Sequence, residues 1–272
     1  MQQGPTQRIE GGRRTRGEHR TEQPLVSIII VVRNGANDLP KALASVFAQY
    51  RTMYELIIVD GISTDGTLDI IERYSHDIDY WISEADNGIY DAMNKAVKLV
   101  TGKYVYFLGC DDKLAIDLNV LGSTLVDPNT IYYGNVRIPA RTKPWDGPYN
   151  AWKLARRTIC QQAIFYPIKV FQSECFCTDY KLAADYAFNL RCFGDKLLRF
   201  QYIPHVIADY SNTGVSALVP DVTFERDRIR LIRKHLPVHV YLLYNLKQKV
   251  KTLIWSKTLR LKVKTLMGDK NI

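Results

Sequence analysis

An α/β fold, with a mostly parallel sheet flanked by helices, is what this sequence predicts, on three observations. Short apolar runs alternate with helix-period segments from residue 25 onward, the pattern of parallel strands joined by crossing helices. The runs "SIIIVV" and "LIIVD" are unbroken, as strands buried on both faces are. Polar residues then gather where each run stops: Arg33 and Asn34, then Asp60, then Glu84 and Asp86, then Asp111 and Asp112. Open sheets of this kind bind ligands at the carboxyl ends of their strands, so these residues are the first candidates for a site.

The elements follow in order. "LVSIIIVV", "YELIIVD", "DYWISE" and "KYVYFLG" are the four strands, and "NDLPKALASVFAQ", "DGTLDIIERY" and "IYDAMNKAVKLV" are the helices between them. The last of these helices ends near Gly102, a good capping residue. Beyond residue 126 the pattern loosens into "TIYYGNV", a Pro-rich aromatic loop "IPARTKPWDGPYNAW", "ICQQAIFYP" and a helical "KLAADYAFNLRCF", an extension packed on the same sheet. The expected organisation is a disordered lead-in over 1–23 and one folded domain over 24–220, in two halves, 24–125 and 126–220. A basic helical extension follows over 221–272. The lead-in holds only Met1 and Ile9 as large apolar side chains and lacks the apolar core of a secretory signal.

Charge is unevenly placed. The net charge is +9, and residues 221–272 carry 13 Lys/Arg against 4 Asp/Glu, so the rest of the chain is balanced. No uncharged stretch approaches the roughly 20 apolar residues that span a bilayer. The five cysteines lack the paired CxxC spacing of zinc sites and read as buried thiols of a reducing compartment.

Neither a P-loop nor a G-x-G-x-x-G fingerprint is present, so any diphosphate must be held by another device. Asp111 and Asp112, the adjacent acid pair in "YVYFLGCDDKL", suit Mg²⁺ or Mn²⁺, which take oxygen ligands and bridge to phosphates. The same pair also reads as a helix-capping turn. "VDGISTDGT" offers Asp60, with Ser63, Thr64 and Asp65 as capping candidates, and "ADNG" places Asp86 in a tight turn.

Taken together, "SIIIVVRNGANDLPKALASVFAQ", "ELIIVDGISTDGT", "SEADNGIYDAMNKA", "GKYVYFLGCDD" and "AADYAFNLR" resemble glycosyltransferase family 2 over residues 25 to 215. These are the inverting enzymes of the Rossmann-like GT-A fold that use nucleotide-diphospho-sugars, and the flavour is that of the bacterial polysaccharide-assembly branch. The resemblance implies that Val32, Arg33, Asn34 and Asp60 contact the nucleoside, Asp60 at the base, with Ser63, Asp65 and Asp86 completing the pocket. The family's Asp-x-Asp-Asp motif stands here as Gly109, Cys110, Asp111 and Asp112, its first carboxylate missing. It implies Asp111 as donor-site and metal ligand, Asp112 beside it, and a divalent cation, Mg or Mn. It also implies Asp185 as general base and Arg191 as structural. Gln161 takes the place of a familiar histidine, and Gln162 either orients the acceptor or holds a loop. "SNTGVSA" is similar to a loop near the donor phosphates, while His205 reads as structural.

The tail breaks at Pro237 and resumes with Leu242, Leu246, Val250, Leu253 and Ile254 on one face, bordered by Lys247 and Lys251. Such a helix suits an anionic membrane surface, packing on the catalytic domain, or a homo-oligomer contact. No nucleic-acid motif accompanies the charge, so nucleic acid is not an expected partner. The sequence therefore reads as a cytoplasmic, peripherally membrane-associated glycosyltransferase with a glycan or lipid-linked acceptor. A sugar-phosphate nucleotidyltransferase and a non-catalytic adaptor with a degenerate site are the alternatives.

Overall fold

Four parallel strands form the centre of the sheet: β2 (Val26–Val32), β3 (Tyr54–Asp60), β4 (Tyr80–Ser83) and β5 (Tyr104–Phe107). This computed structural model describes residues 8–139, 141–211 and 219–267, with side chains through Ile254. Alternate residues of the apolar runs face opposite layers. Ile28 and Ile30 pack with Leu39, Leu43 and Val46 of α1 (Leu39–Phe47) and Ile71 of α2 (Thr67–Arg73). Ile29, Ile57 and Val59 pack with Tyr90, Met93 and Ala96 of α3 (Ile89–Val97). Every one of these side chains is buried, which is why the strands could afford no polar alternation.

The second half continues the same sheet. β8 (Ile164–Pro167) runs antiparallel along β5, β7 (Thr130–Arg137) lies on β8, and β9 (Arg199–Asp209) runs parallel to β7. β6 (Lys113–Leu114) closes that side on β9, and β1 (Ile9–Gly11) pairs antiparallel with β4 on the other, giving the order β1-β4-β3-β2-β5-β8-β7-β9-β6. No gap in the sheet separates the two expected halves. α7 (Ala184–Gly194) lies on the α3 side, and its Phe188 and Leu190 join the core there.

Two expectations about the ends are corrected. The lead-in is docked from Ile9 onward, and charge rather than apolar surface docks it. Arg14 pairs with Glu55, which is fully buried and also accepts from Ser27 Oγ (2.5 Å), Thr101 Oγ1 (2.7 Å) and the Gly102 amide (3.1 Å). Arg20 and Arg51 both pair with buried Asp79, at 3.0 and 2.7 Å. The C-terminal extension begins as part of the catalytic core. Phe224 and Ile232 of α8 (Val222–His235), Leu236, and Val240 and Tyr244 of α9 (Val238–Met267) are buried in the α3–α7 layer. Only beyond Tyr244 does α9 leave the body. Among the described residues no helix is long and apolar enough to cross a membrane. All five cysteines are unpaired, but Cys175 and Cys177 are exposed rather than buried.

Arg14→Ala is expected to leave the Glu55 carboxylate buried without its cation and to lower unfolding stability by about 2 kcal/mol, read from the urea midpoint. An unchanged midpoint would show that the docked segment contributes nothing to the body.

Candidate active site

The parallel ladder sets Val32 beside Asp60 and Asp60 beside Ser83. Asp60 is fully buried, so its carboxylate has to be satisfied from within. Its Oδ2 accepts from Ser83 Oγ (2.6 Å) and the Ser63 amide (3.1 Å), and its Oδ1 takes the Ser63 hydroxyl. The Ser63 oxygen in turn accepts the Asn34 amide at 2.7 Å, and Asn34 Oδ1 accepts the Thr64 amide at 2.8 Å. Asn34 adopts φ 56°, a left-handed conformation that asparagine tolerates better than most residues. Asp65 accepts the Ala36 amide (3.0 Å) and the Thr67 hydroxyl (2.5 Å), and these bonds, Thr67's first, hold it below the usual carboxylate range. Asp86 accepts the Gly88 amide at 2.8 Å and lies directly over Gly61, where a Cβ would stand 2.3 Å from its Oδ2. The same Cβ would meet Arg33 at 3.5 Å, so glycine here is what lets the loops after β2, β3 and β4 close on one another.

Next to this pocket, through a contact between Gly35 and Cys110, lies the acid pair. Ser211, just past β9, donates its hydroxyl to Asp111 Oδ2 at 2.5 Å and its amide to Asp112 Oδ1 at 2.8 Å. Asp112 is only 1% exposed, and its Oδ2 is buried without a hydrogen-bond partner. Burial raises its carboxyl to about 7, against the opposing bonds from Ser211 and Gln162. A Cβ on Gly109 would stand 2.3 Å from Asp112 Oδ2 and 3.0 Å from Asp111 Oδ1. Two carboxylate oxygens therefore converge on the space that glycine leaves open. Among the described residues no third acid, histidine or thiol joins them. Two hard oxygens, one of them on the half-buried Asp111, fit Mg²⁺ or Mn²⁺ shared with a ligand's phosphates, and do not fit a closed protein cage.

Asp185 sits in the first turn of α7, where its Oδ1 accepts the Tyr90 hydroxyl at 2.7 Å. Burial raises its carboxyl to about 6, and the Tyr90 bond opposes the rise. Burial lifts the Cys160 thiol well above the ordinary range, with the charges of Asp112, Asp185 and Asp146 adding to it. Cys110 is pushed up to about 12, chiefly by burial. Neither thiol supplies a thiolate at neutral pH. Gln162 accepts from Cys160 Sγ (3.1 Å), and its carbonyl accepts the Tyr106 hydroxyl (3.0 Å). Gln161 is buried against Met93.

Residues 27–187 match the model of the family described as Glycosyl transferase family 2. The chain belongs to that family. A Mycobacterium tuberculosis protein named PGL/p-HBAD biosynthesis glycosyltransferase is 36% identical over 201 residues, covering 70% of this chain and 78% of the relative. The putative teichuronic acid biosynthesis glycosyltransferase TuaG of Bacillus subtilis is 41% identical over 95 residues, covering 34% and 37%. The fold is that of GT-A enzymes. Staphylococcus aureus TarS, crystallised with UDP, superposes with a TM-score of 0.60 at 18% identity over 77% of this chain and 64% of the TarS chain. The Pyrobaculum calidifontis mannosyltransferase PcManGT, solved with GDP-Man and Mn²⁺, gives 0.56 at 19% identity over 79% and 63%.

The glycosyltransferase thus gathers Arg33, Asn34, Asp60, Ser63, Asp65 and Asp86 at the ends of β2–β4, and Asp111, Asp112 and Gln162 beside them. Val32 and Asp60 are beneath the surface rather than on it: the Val32 carbonyl accepts the Gly61 amide at 2.9 Å, and both Asp60 oxygens are engaged. Arg33 and Asn34 beside them are exposed. The "SNTGVSA" segment lies outside the described residues except for Ser211. Ser211 and Tyr90 are the partners that sequence reasoning missed. Tyr90 stands in the quoted "NGIYDAMNK" motif, where its spacing marks it only as a buried helix position.

Proposed function

We propose that this glycosyltransferase moves a sugar from a nucleotide-diphospho-sugar to a hydroxyl of a glycan or lipid-linked acceptor, with inversion and with Asp185 as general base. The observation that carries the reading is the Asp185 carboxyl, hydrogen-bonded by Tyr90 of the helix that follows β4 and raised to about 6, at the carboxyl edge of the sheet where the acid pair follows β5. A base with that value is ionised at neutral pH yet basic enough to accept a proton. In the transfer the acceptor oxygen forms its bond to the anomeric carbon as the bond from that carbon to the diphosphate oxygen breaks, and the hydroxyl proton passes to Asp185. One displacement inverts the centre. The lack of a thiolate at Cys110 and Cys160 agrees with a direct displacement. Asp111 and Asp112 would hold the divalent cation, which when bound neutralises the departing diphosphate. Arg33, Asn34 and Asp86 rim the nucleoside pocket, with Asp60, Ser63, Asp65 and Val32 fixing its loops, and Gln162 borders the acceptor side.

Nucleotide-sugars of this class are named in the TarS complex with UDP-GlcNAc and the PcManGT complex with GDP-Man. Names of relatives in glycolipid and cell-wall polymer assembly support an acceptor of the lipid-linked or glycan kind. The exposed apolar side chains Leu242, Leu243, Leu246 and Val250 of α9, among exposed Lys247, Lys249 and Lys251, support a peripheral seat on an anionic cytoplasmic membrane face. Each lysine near such a surface adds about 1 kcal/mol. Contact with a second copy is the other use of that face.

Three measurements check this. Calorimetric titration with UDP and GDP is expected to show binding of one nucleotide only with Mn²⁺, abolished by Asp111→Ala; no binding of either would favour a non-catalytic adaptor. Transfer should fall as pH drops through about 6, because Asp185 must be ionised. Tyr90 favours the ionised form, so Tyr90→Phe should move that limb to higher pH in a kcat profile; a limb that stays in place would remove Asp185 from the role. The protein should sediment with liposomes rich in anionic lipid and be released by salt; failure to sediment, with dimers in solution, would assign the α9 face to a second copy.

A further inference from the structure

The loop between β7 and α5 (Ala151–Arg156) is used by none of the chemistry above, yet hydrogen bonds tie its described residues towards both the acid pair and Asp185. At one end, Trp145 and Val136 exchange backbone hydrogen bonds of 2.8 and 2.5 Å. Val136 adjoins Arg137, whose carbonyl accepts the Tyr210 amide at 2.8 Å, next to the Ser211 that binds both Asp111 and Asp112. At the other end the Tyr149 hydroxyl donates to the Thr158 carbonyl (2.6 Å), and Asn189 of α7, one turn beyond Asp185, donates to Thr158 Oγ1 (3.2 Å). The loop therefore bridges the acid pair and the base.

Its charge is one-sided. Residues 137–157 contain Arg137, Arg141, Lys143, Lys153, Arg156 and Arg157 against a single acid, Asp146, within a region 1–220 whose charges balance as a whole. Asp146 serves both Arg157 (2.6 Å) and Lys153 (3.3 Å). Arg157 and Arg141 converge on the Trp145 ring, their guanidinium carbons 4.7 and 3.8 Å from its centre. Among the described residues Arg141 has no carboxylate partner, and both it and Lys143 are exposed. Two guanidinium groups held on one ring with half a counter-charge between them repel each other, and a bound anion relieves that. A neutral acceptor hydroxyl would require no such arrangement.

We propose that Arg141 and Arg157, held on Trp145, form an anion subsite for the acceptor, taking a phosphate or carboxylate that the acceptor carries while its hydroxyl reaches Asp185. This rests on the transferase reading. The two sources of such an anion are the phosphate of a lipid carrier and an acidic sugar in the glycan.

Ligand-observed NMR titration of the full chain in EDTA, which keeps phosphates out of the metal-dependent donor site, tests it with farnesyl phosphate, methyl glucuronide and neutral methyl glucoside. At least one anionic probe should bind and the neutral one should not, and Arg141→Ala should weaken the anion about tenfold, the equivalent of one charge-assisted hydrogen bond. Binding of farnesyl phosphate alone supports the lipid-carrier source, and binding of methyl glucuronide alone supports the acidic sugar. No anion binding, equal binding of methyl glucoside, or an unchanged affinity in Arg141→Ala would overturn the subsite. UDP with Mn²⁺, titrated in parallel, should be unaffected by Arg141→Ala; a weakened UDP would place the arginine on the donor side and overturn the proposal. If UDP binds and the anions do not, only the subsite fails. If UDP also fails on the unaltered protein, the transferase reading fails with it.

Discussion

The rest of the site hangs on one register, the pairing that sets Val32, Asp60 and Ser83 side by side across three parallel strands. It puts a carboxylate at full burial, where an unpaired charge cannot persist, so Ser63 and Ser83 must come to it. Charge-assisted bonds of this kind contribute about 1.5–3 kcal/mol each. That is enough to hold Ile62 at φ 57°, a conformation that costs a β-branched residue on the order of 1–2 kcal/mol. Asn34 is then drawn in from the next loop through the Ser63 oxygen. A shift of one residue in the ladder would turn Asp60 to the opposite face and release all of these loops.

The two edges of the sheet treat their buried acids differently. At the amino ends of the strands, Glu55 and Asp79 are matched by Arg14, Arg20 and Arg51, with the Thr101 and Gly102 amides filling the remaining positions on Glu55. A cavity of about 370 Å³ lies there, lined among others by Arg14, Arg20, Asp79 and Thr101, where Arg14 is already paired with Glu55 and Arg20 with Asp79. At the carboxyl ends, Asp112 keeps an oxygen without a hydrogen bond and Asp185 has a hydroxyl rather than a cation as its partner. The carboxyls at that edge are raised by burial, as those of catalytic sites commonly are, whereas those at the other are closed into ion pairs.

How much of this the sequence revealed depends on which force fixes each part. β2, β3 and the helices after them are set by apolar periodicity, and they fall within a residue or two of the quoted runs. β1 was illegible because three residues with no apolar pattern are held by Arg8, Arg14 and their acids, distant in the chain. β9 was missed because "RFQYIPHVIAD" is mixed and interrupted by Pro204, and its strand state comes from pairing with β7. The missing carboxylate at 109 read as a defect in the sequence. In three dimensions it is the room that Asp112 occupies. The acids of the site were visible as a list, but which of them would be buried and which exposed depends on loop contacts that no local spacing encodes.

Hydrogen bonds and ring contacts join the tail to the helix of Asp185, the proposed base, which spacing alone also concealed. Arg228 of α8 donates to the Tyr186 hydroxyl at 3.0 Å, immediately after Asp185, and to the Ala155 and Arg156 carbonyls of α5 at 3.2 and 2.7 Å. α5 carries Trp152, which receives both Arg156 and Lys247 of α9, at 5.8 and 5.9 Å from its ring. The Arg228 guanidinium thus ties α7 to α5, and Lys247 on Trp152 ties α5 to α9. Were α9 to rest on a surface as proposed, Asp185 and the basic loop would hold a set position above it. An acceptor anchored in that surface would then meet Asp185 with part of its orientation already decided, which lowers the entropy that the encounter has to lose.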